Sequence, residues 1–459
     1  KRLTVIYLPI DCFNLILKLL IPLKIIFKLL IFKILSIFQQ HKKDKTVIKK
    51  KHTVSLILHG DTFYGVKNKI VYDKTLYYST KYKDFKKENI LHFGYQLEKL
   101  KNRSIKYKYL SDNHLTLRDI GSTLFFVLKS ILHIRKFSDL FLILVLTVNL
   151  KYFFNCKNII KQHKELKIAL VDYENLCPKI IILAFMSLNI KTVGTQERFA
   201  SCFTNVVDSM VDDYFTASEK INKIIKNKKL LFIKNLIPVG MYRADKLSRK
   251  IKKKNSKNVI IALGFTTLPT LHESQTSFLL NWKASKLFLE EMYRLSHDIN
   301  NCKIIIRYKR FDGYENSYFK EIIEKINRRK NIEIDINNET EYSYKLCSNA
   351  DLVIARHTSL ADECISRNIP VIFHDYTHNL DRIIKGTFDY DGSEILCKNY
   401  LEVLKNAKKF LNLKNNDLKN QFQNIKNKYY LYDKKKTVKD KILNYLNNFL
   451  IKQKYKKNS

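Results

Sequence analysis

Strand-length apolar runs alternate with helical segments twice along this chain, and that alternation restricts the fold more than any other feature. The first series opens with TVSLIL (53–58), followed by two long apolar helices at 119–134 and 138–155 with basic residues between them. KIALVDYE (167–174), the helix CPKIIILAFMSLNI and the strand KTVGTQE come next, with Pro178 suited to the helix's first turn. DDYFTAS then leads to Ser218, a natural N-cap for EKINKIIKNKK, and LLFIKNLIPVG closes the series. A charged, chain-breaking run, RKIKKKNSKN (249–258), separates this from a second series. That one reads NVIIALGF, a helix around 279–297, CKIIIRYKR, a helix around 315–329, NIEIDI, a helix near 341–349, DLVIA, a helix, and IPVIF. Alternation of this kind calls for parallel sheets with helices on both faces. The sequence therefore predicts α/β architecture: two doubly wound domains in tandem, over 51–248 and 255–435, with a basic helix or tail at 436–459.

At 459 residues the chain suits two domains and an extension. Its net charge of +41 points toward anionic partners, but only 15 of the 84 basic residues are Arg. Arg is the residue of bidentate phosphate and base recognition. The chain is crowded with Lys, Asn and Ile and holds only 10 Gly, a profile that AT-biased coding produces whatever the protein does. Specific nucleic-acid binding is not expected, whereas attraction to an anionic membrane surface needs only Lys. Residues 1–50 form an apolar, Lys-containing segment and linker. Within 13–38, Lys18, Lys24, Lys28 and Lys33 break every window long enough to span a bilayer. They fall on one half of a helix, with Ile25 and Phe32 intruding, so an interfacial helix is expected, associating peripherally with the inner face of the cell membrane. Eight cysteines show no C-x-x-C and no zinc spacing, and read as small buried hydrophobes in a reducing cytosol.

In doubly wound sheets ligands sit at the carboxyl ends of strands, so the polar residues that follow each strand are the candidates. In the second series these are Gly264 and Thr266; Arg307 and Lys309; and Arg356, His357, Thr358 and Ser359. In the first they are Asp61, Glu174 and Glu197. S-L-A-D from Ser359 has the form of a capping box, so Thr358 and Ser359 read as helix caps, a role compatible with an anion at the same helix start. Glu363 lies about 150° from the stripe of Ala361, Cys364, Ile365 and Asn368. It is therefore expected off the core, either paired with Arg367 one turn on or facing a ligand. P-loop, G-x-G-x-x-G, H-E-x-x-H and G-x-S-x-G motifs are absent. Asp389-Tyr-Asp391 has a D-x-D form but sits in a loop, and His374 and His378 follow a strand, so no metal site is expected.

The segment ADLVIARHTSLADECISRNIPVIFHDY (350–376) carries a family resemblance. Strand, Ser/Thr loop, then Glu363 seven residues ahead of Pro370-Val371-Ile372 resembles the donor-binding segment of GT-B glycosyltransferases. Asn368 stands where that family usually has Gly, and is the next best residue for a left-handed cap. The stretch is also similar to one in teichoic-acid-type glycerophosphotransferases and in nucleotide-sugar 2-epimerases. VDYENLCPK, KTVGTQERF and IPVGMYRAD resemble surface-polysaccharide proteins of the same broad class. The resemblance implies a nucleotide-linked donor on the C-terminal domain, a glycan or lipid-linked acceptor on the N-terminal domain, and no obligatory cofactor. It implies that RHTS and Glu363 hold the diphosphate and ribose, and that Arg307, Lys309 and Arg356 stabilise the leaving nucleotide. Asp61, Glu174 or Glu197 would be the base that deprotonates the acceptor hydroxyl.

Overall fold

The computed structural model describes residues 52–57, 81–86, 89–94, 107–110, 114–131, 133, 136–171, 177–196, 210–227, 232–247, 257–264, 282–308, 316–337, 340–356, 358–374, 390, 393–411, 416–431, 433 and 435–458. The expected N-terminal helix lies outside them.

The first sheet has seven strands, β1 (Val54–Ile57), β2 (Ile90–Gly94), β3 (Tyr107–Tyr109), β4 (Ile168–Val171), β5 (Lys191–Thr195), β6 (Met210–Thr216) and β7 (Phe232–Pro238). Their order is β3-β2-β1-β4-β5-β6-β7, and the pairs from β3 to β5 are parallel. The connecting helices are α1 (Leu117–Ile131), α2 (Phe137–Lys161), α3 (Lys179–Met186) and α4 (Glu219–Lys226). Ser218 caps α4 as its sequence suggests, its Oγ accepting from Ile221 N at 3.3 Å.

The second sheet has six strands, β8 (Asn258–Leu263), β9 (Cys302–Arg307), β10 (Ile332–Asp335), β11 (Leu352–Ala355), β12 (Val371–His374) and β13 (Leu396–Cys397). The order is β10-β9-β8-β11-β12-β13, parallel throughout. Its helices are α5 (Trp282–Asp298), α6 (Ser317–Asn327), α7 (Thr340–Ser348) and α8 (Ser359–Ser366), followed by α9 (Tyr400–Leu411), α10 (Asn416–Tyr429) and α11 (Val438–Asn458). β11 and β12 are buried at every position, as befits strands covered on both faces. Ile260, Ile304, Ile354 and Ile372 pack with Phe288 and Met292 of α5 and Phe319 of α6. Each such side chain, fully buried, contributes about 1.5–3 kcal/mol.

In both sheets the strand order reverses between the first and fourth strands, β1 against β4 and β8 against β11. The architecture is thus two tandem Rossmann-like, doubly wound sheets, each with its own switch point. The strands β2, β3 and β13, and helices α9 and α10, add to the elements read from the alternation.

By compactness the chain divides into Lys1–Gly194 with Met210–Asp213, and Thr195–Ser209 with Tyr214–Ser459. Contacts inside the second unit show why its boundary falls so early. Leu431 N donates to Ala217 O at 2.9 Å, and Tyr445 of α11 meets the Phe215 ring edge-on at 5.5 Å. Asp245 accepts from Val438 N (3.2 Å) and Lys439 N (3.0 Å), so its charge sits at the positive end of α11. Gly240 has φ +106°, and a Cβ there would stand 2.5 Å from Leu431 O.

Candidate functional site

The β8–β11 switch point assembles several of the sequence candidates. In register, Arg307 of β9 stands beside Leu263 of β8, which stands beside Ala355 of β11. One residue on, Gly264 N donates to Arg307 O and Arg356 N donates to Leu263 O, both at 2.9 Å. Gly264, Arg307 and Arg356 therefore share one carboxyl edge across three adjacent strands.

Both guanidinium-bearing residues are 2% exposed, so neither is an exposed basic strand end. Arg307 Nε donates to Ser343 Oγ of α7 at 2.9 Å and lies 3.5 Å from Asp335 Oδ2 at the end of β10. Burial pulls its pKa down, and Asp335 opposes that shift. Arg356 Nη1 donates to Ser285 Oγ of α5 at 3.3 Å. Tyr308 directly follows Arg307, and its phenol is pushed up by burial and drawn back by the Arg356 charge. A Cβ on Gly264 would stand 2.3 Å from the Tyr308 ring, so the glycine is required for that ring to lie where it does.

From this edge the chain enters α8. Thr358, not Ser359, is the N-cap, its Oγ1 accepting from Leu360 N at 3.4 Å. The capping box read in S-L-A-D is not formed as expected, because the Asp362 carboxylate accepts from the hydroxyls of Tyr390 and Tyr430. Desolvation raises the Asp362 pKa to about 7, with the two tyrosine hydrogen bonds opposing it. Phe373 stacks on Tyr390 from the sheet side, at 5.8 Å and 22°.

Glu363 corrects a second expectation. Its angular position argues for a face away from the core, yet it is 1% exposed, and every residue from Ala361 to Ser366 is buried. Helical angle tells which way a side chain leaves its own helix, but not what a second layer places there. Arg367, expected as its partner, instead donates through Nε to Ala244 O at 2.8 Å and through Nη2 to Asp245. Asn368 takes the left-handed conformation its type suggests, at φ +59°. The helix closes with Ile369 N donating to Cys364 O and Asn368 N to Ile365 O, both at 3.0 Å, a Schellman closure.

Asp61, Glu174, Glu197, Thr266, Lys309, His357, His378, Asp389 and Asp391 lie outside the described residues. In chain position Asp61 and Glu174 follow β1 and β4, which flank the first sheet's switch point. His374 is 4% exposed, with its Nε2 hydrogen-bonded to Glu291 Oε2 at 2.5 Å. Among the described residues no group of three or more His, Cys, Asp or Glu is placed to hold a metal ion. The six described cysteines are buried thiols.

The residues missed in the sequence are Asp335, Ser343 and Ser285; Tyr308 figures there only as a strand-end neighbour of Arg307, and Asp362 only as part of the capping-box pattern. Asp335 ends a strand, so the rule that found Arg307 also reaches it. Ser285 and Ser343 lie inside helices and carry no local signal.

Two doubly wound sheets in tandem, each with a switch point at its carboxyl edge, place the chain in the GT-B-like class of folds. No protein-family model and no curated protein matches the chain. Among solved structures it is similar to a UDP-N-acetylglucosamine 2-epimerase at 10% identity, covering 83% of this chain and 92% of that one, with a TM-score of 0.48. MurG of Acinetobacter baumannii is 13% identical, over 82% and 95%, with a TM-score of 0.44. A Staphylococcus aureus MnaA–UDP co-structure is 13% identical, over 76% and 91%, also with a TM-score of 0.44. The strand orders, rather than these loose superpositions, define the fold.

Proposed function

We propose that the chain is a transferase of the GT-B kind, moving a sugar from a nucleotide-sugar donor to a surface-polysaccharide or lipid-linked acceptor. The observation that carries this reading is the pair of buried arginines, Arg307 and Arg356, on strands that flank β8 at its switch point. Two guanidiniums at the carboxyl edge of a parallel sheet, with the start of α8 beside them, suit a diphosphate. In a site shielded from water they would stabilise charge that grows on a departing nucleotide. Glu363, on the same helix, is the acceptor for ribose hydroxyls. The first sheet's strand ends supply the base, with Asp61 preferred over Glu174 and Glu197. The division into an acceptor domain at 51–248 and a donor domain at 255–435 belongs to the same proposal.

A polyol phosphotransferase that takes a CDP-linked donor is the second reading. It uses the same two arginines, and the base of the nucleotide separates it from the first. A non-catalytic glycan-assembly protein would bind no nucleotide. Thermal shift with UDP, GDP, CDP and CMP tests all three, because a ligand held by the native state raises its melting point. Binding of UDP or GDP supports sugar transfer, and selective binding of CDP or CMP supports polyol phosphate transfer. No shift with any nucleotide overturns the transferase reading. In titration calorimetry Arg356→Ala is expected to weaken the bound nucleotide about ten- to a hundred-fold, the equivalent of one lost charged hydrogen bond. Activity is expected to persist in excess EDTA, since the charge-stabilising role is assigned to arginine.

Residues 1–40 are proposed to hold the protein peripherally on the inner face of the cell membrane. Among the described residues no helix is long and apolar enough to cross a membrane. Pelleting with anionic vesicles should weaken with salt, because lysine–headgroup attraction is screened. Retention after an alkaline carbonate wash would overturn this in favour of insertion.

A further inference from the structure

The helical pair α1–α2 has an outward face that the nucleotide site does not use. On α1, Ile120, Thr123 and Val127 turn inward, while Leu117, Phe125 and Leu128 are 74%, 69% and 55% exposed. At 100° per residue those three fall within an arc of roughly 80°. On α2, Leu142, Val145 and Val148 are also exposed, at 56%, 41% and 54%. The end of α2 is fixed in the domain: Asn155 Oδ1 accepts from His114 N at 2.6 Å, and Ile159 and Ile160 are fully buried. The apolar face therefore belongs to the first half of α2 and to the exposed stripe of α1, on both sides of their connection.

That connection is basic. Residues 117–161 hold Arg118, Lys129, Arg135, Lys136, Lys151, Lys157 and Lys161 against only Asp119 and Asp139. Both acids are engaged locally. Asp119 accepts from Thr116 N at 2.8 Å and Asn158 Nδ2 at 2.7 Å, and Asp139 accepts from Lys136 N at 2.9 Å. An exposed apolar patch of several large side chains marks an interaction surface, and its charge selects among the occupants. A second copy would bring the same basic connections together. The chain's own 13–38 segment carries four lysines and no acidic residue.

We propose that the outward face of α1–α2 is a second membrane-docking surface, lying in the interface of an anionic bilayer. Phe125, Leu128 and Leu142 enter the headgroup–acyl boundary, and Lys129 and Lys136 meet lipid phosphates. This inference does not depend on what the donor site binds, nor on residues 1–40. Two surfaces on one chain add to each other's partition through effective concentration.

The test uses the full chain with Leu142→Trp and, separately, Phe125→Glu/Leu142→Glu, all at exposed positions. Vesicles of phosphatidylglycerol and phosphatidylcholine, with and without brominated acyl chains, are the probe. The tryptophan in Leu142→Trp is expected to be quenched by brominated lipid beyond the quenching of native Trp282 in the parent chain. The double variant is expected to lose about tenfold or more in vesicle partition, with its melting point held. Absence of quenching at position 142 overturns the proposal, even if the protein still binds vesicles through residues 1–40. So does a wild-type dimer in sedimentation that Phe125→Glu/Leu142→Glu dissociates while leaving vesicle partition unchanged, which would make the face a contact between copies.

Discussion

The corner α3–β5 in the first sheet and the corner α8–β12 in the second are built from the same device with different contents. Each follows the fourth strand, at the switch point. Each has an eight-residue helix, MSLNI after α3 and ISRNI across the end of α8, and a left-handed Asn, Asn189 at φ +56° and Asn368 at +59°. Ile190 N donates to Phe185 O at 3.2 Å and Asn189 N to Met186 O at 3.0 Å, the closure already described at Ile369 and Asn368. The helices differ. KIIILAFM buries Ile181, Ile182, Ala184 and Phe185 and leaves Leu183 38% exposed. SLADECIS is buried from Ala361 to Ser366, with two carboxyl groups inside. The first corner shows that hydrocarbon is enough to make this turn. The two acids of the second are therefore surplus to folding, and burying a carboxyl group costs stability.

The sharpest break of that comparison is Asp362→Asn. The folded carboxyl titrates near 7 and the unfolded one near 3.8, so between those values the native chain binds the extra proton. Stability contributed by the protonated form is complete below about 4, falls as pH rises through that window, and is lost above 7. The loss is on the order of 4 kcal/mol. Asp362→Asn, which cannot ionise, should be more stable than wild type at pH 8 by a few kcal/mol and similar at pH 4. Urea unfolding at both values checks this, and parallel pH profiles for the two proteins would refute it. Next in size is Glu363→Leu, which removes one of the two buried acids that the first corner does without. It is expected to fold at least as well and to bind nucleotide more weakly by about 1.5–3 kcal/mol, as read by calorimetry. Unfolding of the variant would instead assign Glu363 to the fold. Asn189→Ala and Asn368→Ala sharpen the likeness. If the corners are one device, each should cost about 1–2 kcal/mol in thermal melts, because alanine tolerates the left-handed backbone less well than Asn. The smallest effect is at the helix start, where Thr358→Ala removes a side-chain cap that α3 lacks. About 0.5–1 kcal/mol is expected.

What could be read in advance follows the reach of each interaction. The alternation of apolar runs gave both sheets their central strands, since a strand buried on both faces must be hydrophobic along its whole length. The edge strand Tyr107–Tyr109 escaped, being three residues long, preceded by Lys106 and centred on Lys108. Asn368 and Ser218 were legible because caps are local. Arg307 and Arg356 were found by the strand-end rule, but their burial was not, since Ser343, Asp335 and Ser285 arrive from other elements. Glu363 and Arg367 were misread for the same reason: Asp245, the partner of Arg367, is 122 residues away.

Asp245 also sets an order of events during synthesis. Its carboxylate holds Arg367 at the end of α8 and the first amides of α11, and Val438 follows it by 193 residues. At roughly 5–20 residues per second of translation, the start of α11 leaves the ribosome about ten to forty seconds after Asp245 does. Until then Asp245 and the C-terminal turn of α8 lack one of the three parts that meet there. A nascent chain halted between Cys397 and Val438 has every strand of the second sheet in hand, yet cannot finish the anchorage of its candidate donor helix. Ribosome-stalled chains ending on either side of α11 would differ in protease protection at residues 359–368, although the strands around them are the same.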